Sequence, residues 1–336
     1  SSSPSSRPSS RQKSRTGGLA EAKGKDSGEA EARVLVVGGL DGESQHATTE
    51  VLSGASMSFA PGPPLASPRW GCAAVAVGGG RVLICGGSDG CEDHRSTELL
   101  DLHSMTSAPG PSMRTARSGC TAARLDDRRI LVLGGHGLQS TEMLDLERME
   151  FVPGPRLGTP RACCGAVMLD EERLLVVGGF DRSGASDTSE VAAVAWAFRE
   201  GAGHYDVERV VFSPGPRMAR RRGGCAVAQL DAGHALVVGG SDGSSRLRST
   251  EVLRVESMSF GPGPEMGRAR SGAALARFHR SRLLVAGGLG TGLDGCSDGT
   301  EVLDVESMRF KRGPCMGARR AYCTAVLHHA RPAGAA

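Results

Sequence analysis

Paired glycines end an apolar run six times in this chain, at Gly38-Gly39, Gly86-Gly87, Gly134-Gly135, Gly178-Gly179, Gly239-Gly240 and Gly287-Gly288. Four of the five intervals are 48, 48, 44 and 48 residues, and the fifth, 61, holds an insertion. One such turn alone, as in RVLICGGSDG (81–90), matches the glycine loop that opens a nucleotide-binding fold. Six do not. That loop is used once and leads into a helix, and no amphipathic helical pattern follows any of these pairs. A repeat of this length predicts units that bury their faces against one another.

The rest of the unit recurs with the glycines. A Thr/Ser-Glu pair follows, with its acid at Glu50, Glu98, Glu142, Glu190, Glu251 and Glu301. Most copies then show a Met-x-Phe step, such as Met57-Ser58-Phe59. A Pro-Gly-Pro turn begins at Pro61, Pro109, Pro153, Pro214 and Pro262, and Arg312-Gly313-Pro314 replaces it in the last copy. Eight residues on stands an arginine, then a small-residue run such as GCAAVAV, a tight turn and the next apolar run. Each unit thus reads as four short strands, the pattern of a propeller blade. With these elements the chain resembles the kelch-repeat family, from residue 33 to about 328. The family's usual Tyr after the repeat Glu and Trp on the fourth strand are replaced here by aliphatics and Phe.

The expected fold is all-β, a six-bladed β-propeller of four-stranded kelch-type blades. The chain enters at a second strand (ARVLVVGG) and leaves on an orphan first strand, RRAYCTAVL at 319–327. Six complete blades exist only if these two share one blade, so the C-terminal strand is expected to close the ring and remove its open edge. The domain boundaries follow: a disordered Ser/Arg/Gly-rich tail at 1–32, the propeller at 33–329 and a short tail at 330–336.

Composition excludes several other classes. The formal net charge is +3, which argues against a nucleic-acid partner. No apolar run is long enough for a membrane helix, and the N-terminus has no secretory apolar region, so cytoplasmic or nuclear residence is expected. Ten cysteines in so long a chain are not a disulfide framework, and none has zinc-ligand spacing. Five of them recur eleven residues after the turn proline, at Cys72, Cys120, Cys164, Cys225 and Cys323, where Ala273 completes the set. Small residues suit strands converging on an axis, and packing without metal, cofactor or disulfide is the expectation. A monomeric ring is expected.

An arginine stands before every first strand, at Arg69, Arg117, Arg161, Arg222, Arg270 and Arg320, and further arginines adjoin at Arg114, Arg220, Arg221, Arg268 and Arg319. Antiparallel connectivity puts them on the face that also carries the loops between second and third strands. Those loops vary: from the first paired glycine to the Glu the separation is 12 in four copies, 8 in the third and 14 in the sixth. Guanidinium forks suit carboxylates and phosphates. The resemblance implies, for some blades, arginines that contact acidic peptides. The six are therefore the candidate ligand-binding residues, for a protein or peptide with an acidic or phosphorylated segment. Pairing of each Arg with a repeat Glu is the competing structural role.

No catalytic constellation is identified. The resemblance also admits substrate recognition in a ubiquitin ligase, for which the helical adaptor is absent from this sequence, and a carbohydrate-active isomerase. Copper oxidases on related propellers need tyrosines in suitable surroundings, and Tyr205 and Tyr322 are the only two in this chain. The insertion after Glu190 carries Trp196 and Tyr205 and is expected to lengthen a hairpin or form a helical turn on the opposite face.

Overall fold

The structure is a computed structural model that describes residues 32–199, 204–291 and 295–329. The expected tails, at 1–32 and 330–336, lie outside the described residues except for Ala32, which opens the first strand. Six four-stranded antiparallel sheets form the blades of a propeller. Blade 1 holds Ala32–Val37, Thr49–Ser53 and Ser58–Pro61 together with Thr324–His329 from the other end of the chain. Blades 2 to 6 follow in chain order, with first strands that begin at Ala73, Thr121, Gly165, Ala226 and Ala274. Each first strand lies against the first strands of both neighbouring blades, around a central channel.

Closure takes the expected form. Thr324–His329 pairs with Ala32–Val37 along its whole length, from Val37 opposite Thr324 to Ala32 opposite His329. The strand begins later than the sequence implies, because 319–323 instead form the turn that approaches the channel and carries Arg320.

Second strands are the spine of the packing. Val34, Leu35, Val36 and Val37 are fully buried, as are the matching residues of blades 2, 3, 4 and 6. Side chains alternate across a strand, so Val34 and Val36 enter the core shared with blade 6 while Leu35 and Val37 enter the core shared with blade 2. Six such cores lie between six blades. Burying one such aliphatic side chain stabilises by about 1.5–3 kcal/mol, which is why these runs are continuous rather than alternating. Fourth strands such as Ser58–Pro61 are short, mostly exposed and end in proline, which blunts the outer edge.

The repeated motifs now have physical assignments. The hydroxyl of Thr49 donates to the Pro63 carbonyl at 2.8 Å, and Thr97, Thr141, Ser189, Thr250 and Thr300 make the same bond at 2.6–2.8 Å. This staples each third strand to its Pro-Gly-Pro turn. The methionine of Met-x-Phe stands in the hairpin before the fourth strand, with φ of 51° at Met57 and between 47° and 56° at Met105, Met149, Met258 and Met308. The paired glycines give room to the next blade: a Cβ at Gly38 would stand 2.1 Å from the Arg69 carbonyl oxygen, which accepts from the Gly39 amide at 2.8 Å.

The insertion is an extended hairpin. Ser189–Arg199 pairs with His204–Pro214, with a bulge at Ala195/Trp196. Val194, Val207 and Val210 pack with Ala123 and Leu125 of blade 3, and the Trp196 indole donates to the Glu171 carbonyl at 3.1 Å. No helix among the described residues is long and apolar enough to cross a membrane.

Candidate functional site

The six repeat arginines share one environment. Arg69 Nε donates to Glu98 Oε1 at 2.8 Å, Nη1 donates to the carbonyls of Gly86 and Ser96, and Nη2 donates to the Ser96 hydroxyl. The same pairing joins Arg117 to Glu142, Arg161 to Glu190, Arg222 to Glu251, Arg270 to Glu301 and Arg320 to Glu50, at 2.9–3.1 Å. All six arginine side chains are 0–3% exposed. Burial pushes the Glu98 carboxyl up, but the Ala66 amide, the Ser107 hydroxyl and Arg69 together hold it below its ordinary range. Each guanidinium already holds an anion, the glutamate of its own blade. Of the two roles the sequence offers for these six positions, the structure has the pairing with the repeat glutamates in every blade, and the exposed arginines at the mouth are their neighbours.

Those neighbours are exposed, and they are unevenly placed. Arg114 precedes blade 3, Arg220 and Arg221 precede blade 5, Arg268 precedes blade 6, and Arg319 precedes the closing strand of blade 1. Arg268 and Arg319, with Arg248, Ser297 and Asp298, line a cleft of about 720 Å³. Arg248 is paired with Glu265 at 2.6 Å, while the loops of blades 1 and 2 present Asp41, Glu43, Asp89, Glu92 and Asp93. The exposed arginines are therefore densest across blades 5, 6 and 1, while the loops of blades 1 and 2 are mainly acidic, with Arg95 among them.

Among the described residues a rung of paired residues spans every blade but the third. Trp70 pairs with Ser88 and Ser88 with Asp93 in blade 2; Gly223, Ser241 and Arg246 repeat this in blade 5, and Ser271, Leu289 and Cys296 in blade 6. Blades 2 and 5 lie opposite one another in a six-membered ring, so Asp93 and Arg246 hold equivalent rung positions on opposite blades. Below the rungs, six backbone hydrogen bonds close on themselves. The amides of Gly71, Gly119, Cys163, Gly224, Gly272 and Tyr322 each donate to the carbonyl of the preceding member, at 2.7–3.0 Å, and Gly71 completes the circle on Tyr322. All six have φ between 51° and 69°, a region in which glycine is at ease and other residues are strained. Tyr322 and Cys163 depart from glycine there, on opposite blades.

The channel beneath measures about 190 Å³ and is lined by residues at and just before the start of the first strands, including Cys72, Thr121, Cys164 and Cys225. All ten cysteines are free thiols. Burial pushes Cys72 and Cys164 up to about 12, and Cys120 and Cys323 up to about 11, so these side chains behave as small neutral groups. Among the described residues no group of three or more His, Cys, Asp or Glu is placed to hold a metal ion.

The family model of the Kelch motif matches residues 69–114. That span runs from Arg69 through Glu98 and the Pro109 turn, which is one blade, and the same ion pair and hydroxyl staple recur in the other five. The chain is a kelch-repeat propeller. No curated protein sequence matches it. The solved structure titled "Structure of YjhT" is similar in fold, with a TM-score of 0.64 at 8% identity over 85% of this chain and 97% of that one. In all, 823 solved chains match, and likeness of fold so widely shared selects no activity for this kelch propeller.

Two mouth residues escaped the sequence reading, Trp70 and His136, and a third, Tyr322, was weighed there only for copper-oxidase chemistry. Trp70 meets His136 edge-on at 5.9 Å and Tyr322 at 5.8 Å. The signal was present in the alignment of repeats, where the two residues after each Arg are Trp-Gly, Ser-Gly, Ala-Cys, Gly-Gly, Ser-Gly and Ala-Tyr. The large rings stand where this kelch propeller otherwise carries small residues.

Proposed function

We propose that this kelch propeller is a protein-interaction module whose mouth takes an acidic or phosphorylated peptide segment across blades 5, 6 and 1. The observation that carries the reading is the group of exposed arginines around the 720 Å³ cleft, Arg268 and Arg319 above all, set one or two residues before the buried arginines. The buried Arg–Glu pairs hold the turns on which these side chains stand, so the exposed forks are positioned by a rigid frame. An extended segment with carboxylates or phosphates receives paired hydrogen bonds from such forks.

The test is fluorescence anisotropy with a labelled Glu-Ser octapeptide and its phosphoserine form. A charge-assisted hydrogen bond contributes about 1.5–3 kcal/mol, so Arg268→Glu with Arg319→Glu should weaken binding about 100-fold or more with the melting temperature unchanged. Binding should also fall as salt rises, because exposed charges are screened over about 8 Å at physiological ionic strength. Undiminished binding by the double variant would overturn the reading.

A further inference from the structure

Trp70 and His136 stand on blades 2 and 3, away from the cleft, and Tyr322 of blade 1 reaches from Trp70 toward Ser271 and Arg246. Trp70 is half-buried, His136 is exposed, and Tyr322 lies on Gly272, where an added Cβ would come within 2.8 Å of its Cδ1. Trp70 makes no side-chain hydrogen bond with any described residue, although an indole N–H buried in a core ordinarily finds an acceptor. In the same rung stands Asp93, two strands away from Trp70, a backbone separation of about 10 Å. Its loop is pinned: the amides of Cys91 and Glu92 donate to the Asp89 carboxylate at 2.9 and 2.8 Å, and the Ser88 hydroxyl donates to the Glu92 carbonyl at 2.9 Å. The Asp93 carboxylate itself is exposed and makes no hydrogen bond or ion pair with any described residue.

Two further facts set this group apart from ordinary packing. Tyr322 holds φ of 51° at a position where four of six blades carry glycine, so an aromatic ring is kept at the mouth against backbone strain. Among the described residues Arg246 is the one cation in the rungs; it belongs to the opposite blade, where it lies toward the Tyr322 hydroxyl. Aromatic faces beside an unpaired carboxylate attract a cation by the ring quadrupole and by charge together.

We propose that Trp70, Tyr322 and His136, with the Asp93 carboxylate, form a subsite for a guanidinium or ammonium group, the side chain of an Arg or Lys in a bound segment. The cation lies over the Trp70 ring and donates to Asp93. The subsite stands independently of the acidic-segment reading, since it uses none of the exposed arginines. Together the two would favour a segment of mixed charge, with its cation on blade 2 and its anions on blades 5 and 6.

The chain has two tryptophans, and Trp196 is on the opposite face, so Trp196→Phe leaves Trp70 as the sole emitter. The probes are Nα-acetyl-arginine methylamide and its neutral isostere, Nα-acetyl-citrulline methylamide, titrated at low salt. The arginine probe should change Trp70 emission saturably in the roughly millimolar range, and the citrulline probe should not. Asp93→Asn should weaken the arginine probe about tenfold or more, and Arg268→Glu with Arg319→Glu should leave it unweakened, which separates this subsite from the basic cleft. Tyr322→Gly, which relieves the backbone, should also weaken it in a protein that still melts cooperatively. An equal response to both probes, no saturation with either, or unchanged affinity in Asp93→Asn would overturn the proposal.

Discussion

Arg320 Nε donates to Glu50 Oε1 at 3.0 Å, joining residues that stand 270 positions apart. Arg320 also donates to the carbonyls of Gly38 and Thr48, and Glu50 accepts from the Gly317 and Ala318 amides. In the other five blades this network ties a loop to its own neighbourhood. In blade 1 it ties the two ends of the chain, beside the strand pairing that closes the ring.

Glu50→Ala leaves that buried guanidinium without its anion. Breaking a buried pair from one side costs about 3–5 kcal/mol, so urea unfolding should show a loss of that order. Glu147→Ala removes the exposed partner of Arg128, 2.6 Å away, and an exposed pair contributes only about 0–1 kcal/mol. Equal losses in the two variants would refute the clasp.

Truncation after Pro314 removes the closing strand and Arg320 together. Ala32–Val37 then loses its inner partner, and its unpaired backbone groups become a template for other chains. Size-exclusion chromatography should show aggregation, and calorimetry should show loss of the cooperative transition. A truncated chain that melts as sharply and as high as the parent would argue against closure by this strand.

The fold was legible because its determinants are local and repeated: glycine pairs, Pro-Gly-Pro turns and buried second strands recur at fixed spacing. Closure was legible by counting strands. The site was less so. The arginines at 69, 117, 161, 222, 270 and 320 stood out because they repeat, and repetition here reflects a shared structural bond to the repeat glutamates. Binding residues of a propeller are the ones that break the repeat. Trp70 and Tyr322 break it, yet their meeting depends on blades 1 and 2 being brought together by closure, which no local pattern states. Met-x-Phe does not show where its strand begins: the methionine occupies the turn, with φ of 51° at Met57, and the strand starts at Ser58.

The glycine ring gives opposite predictions for opposite substitutions. Cys163→Gly removes a side chain from a left-handed backbone position, a gain of about 1 kcal/mol at most, and should raise the melting temperature by a few degrees at most. Gly71→Ala should lower it, since the new Cβ would come within 2.7 Å of the Gly119 amide nitrogen. Differential scanning fluorimetry of both variants checks the sign, and a shift in the same direction for both would contradict the strain assigned to this ring.

The channel thiols predict a specific alkaline weakness. In the unfolded chain a cysteine ionises near its ordinary value of about 9, whereas burial holds Cys72 and Cys164 near 12 and Cys120 and Cys323 near 11. Above pH 9 the unfolded state therefore binds fewer protons than the folded one, so stability falls as pH rises. The contribution is complete below about pH 9 and is lost progressively as pH climbs toward 11–12. Cys72→Ala with Cys164→Ala should flatten that decline even where the smaller side chains lower stability at neutral pH. Alkylation gives a second readout: Cys91 and Cys315 are exposed and should react with iodoacetamide at pH 8 well before any channel thiol. Channel cysteines that label as fast as Cys91, or stability that stays level from pH 8 to 11, would count against buried neutral thiols around the axis.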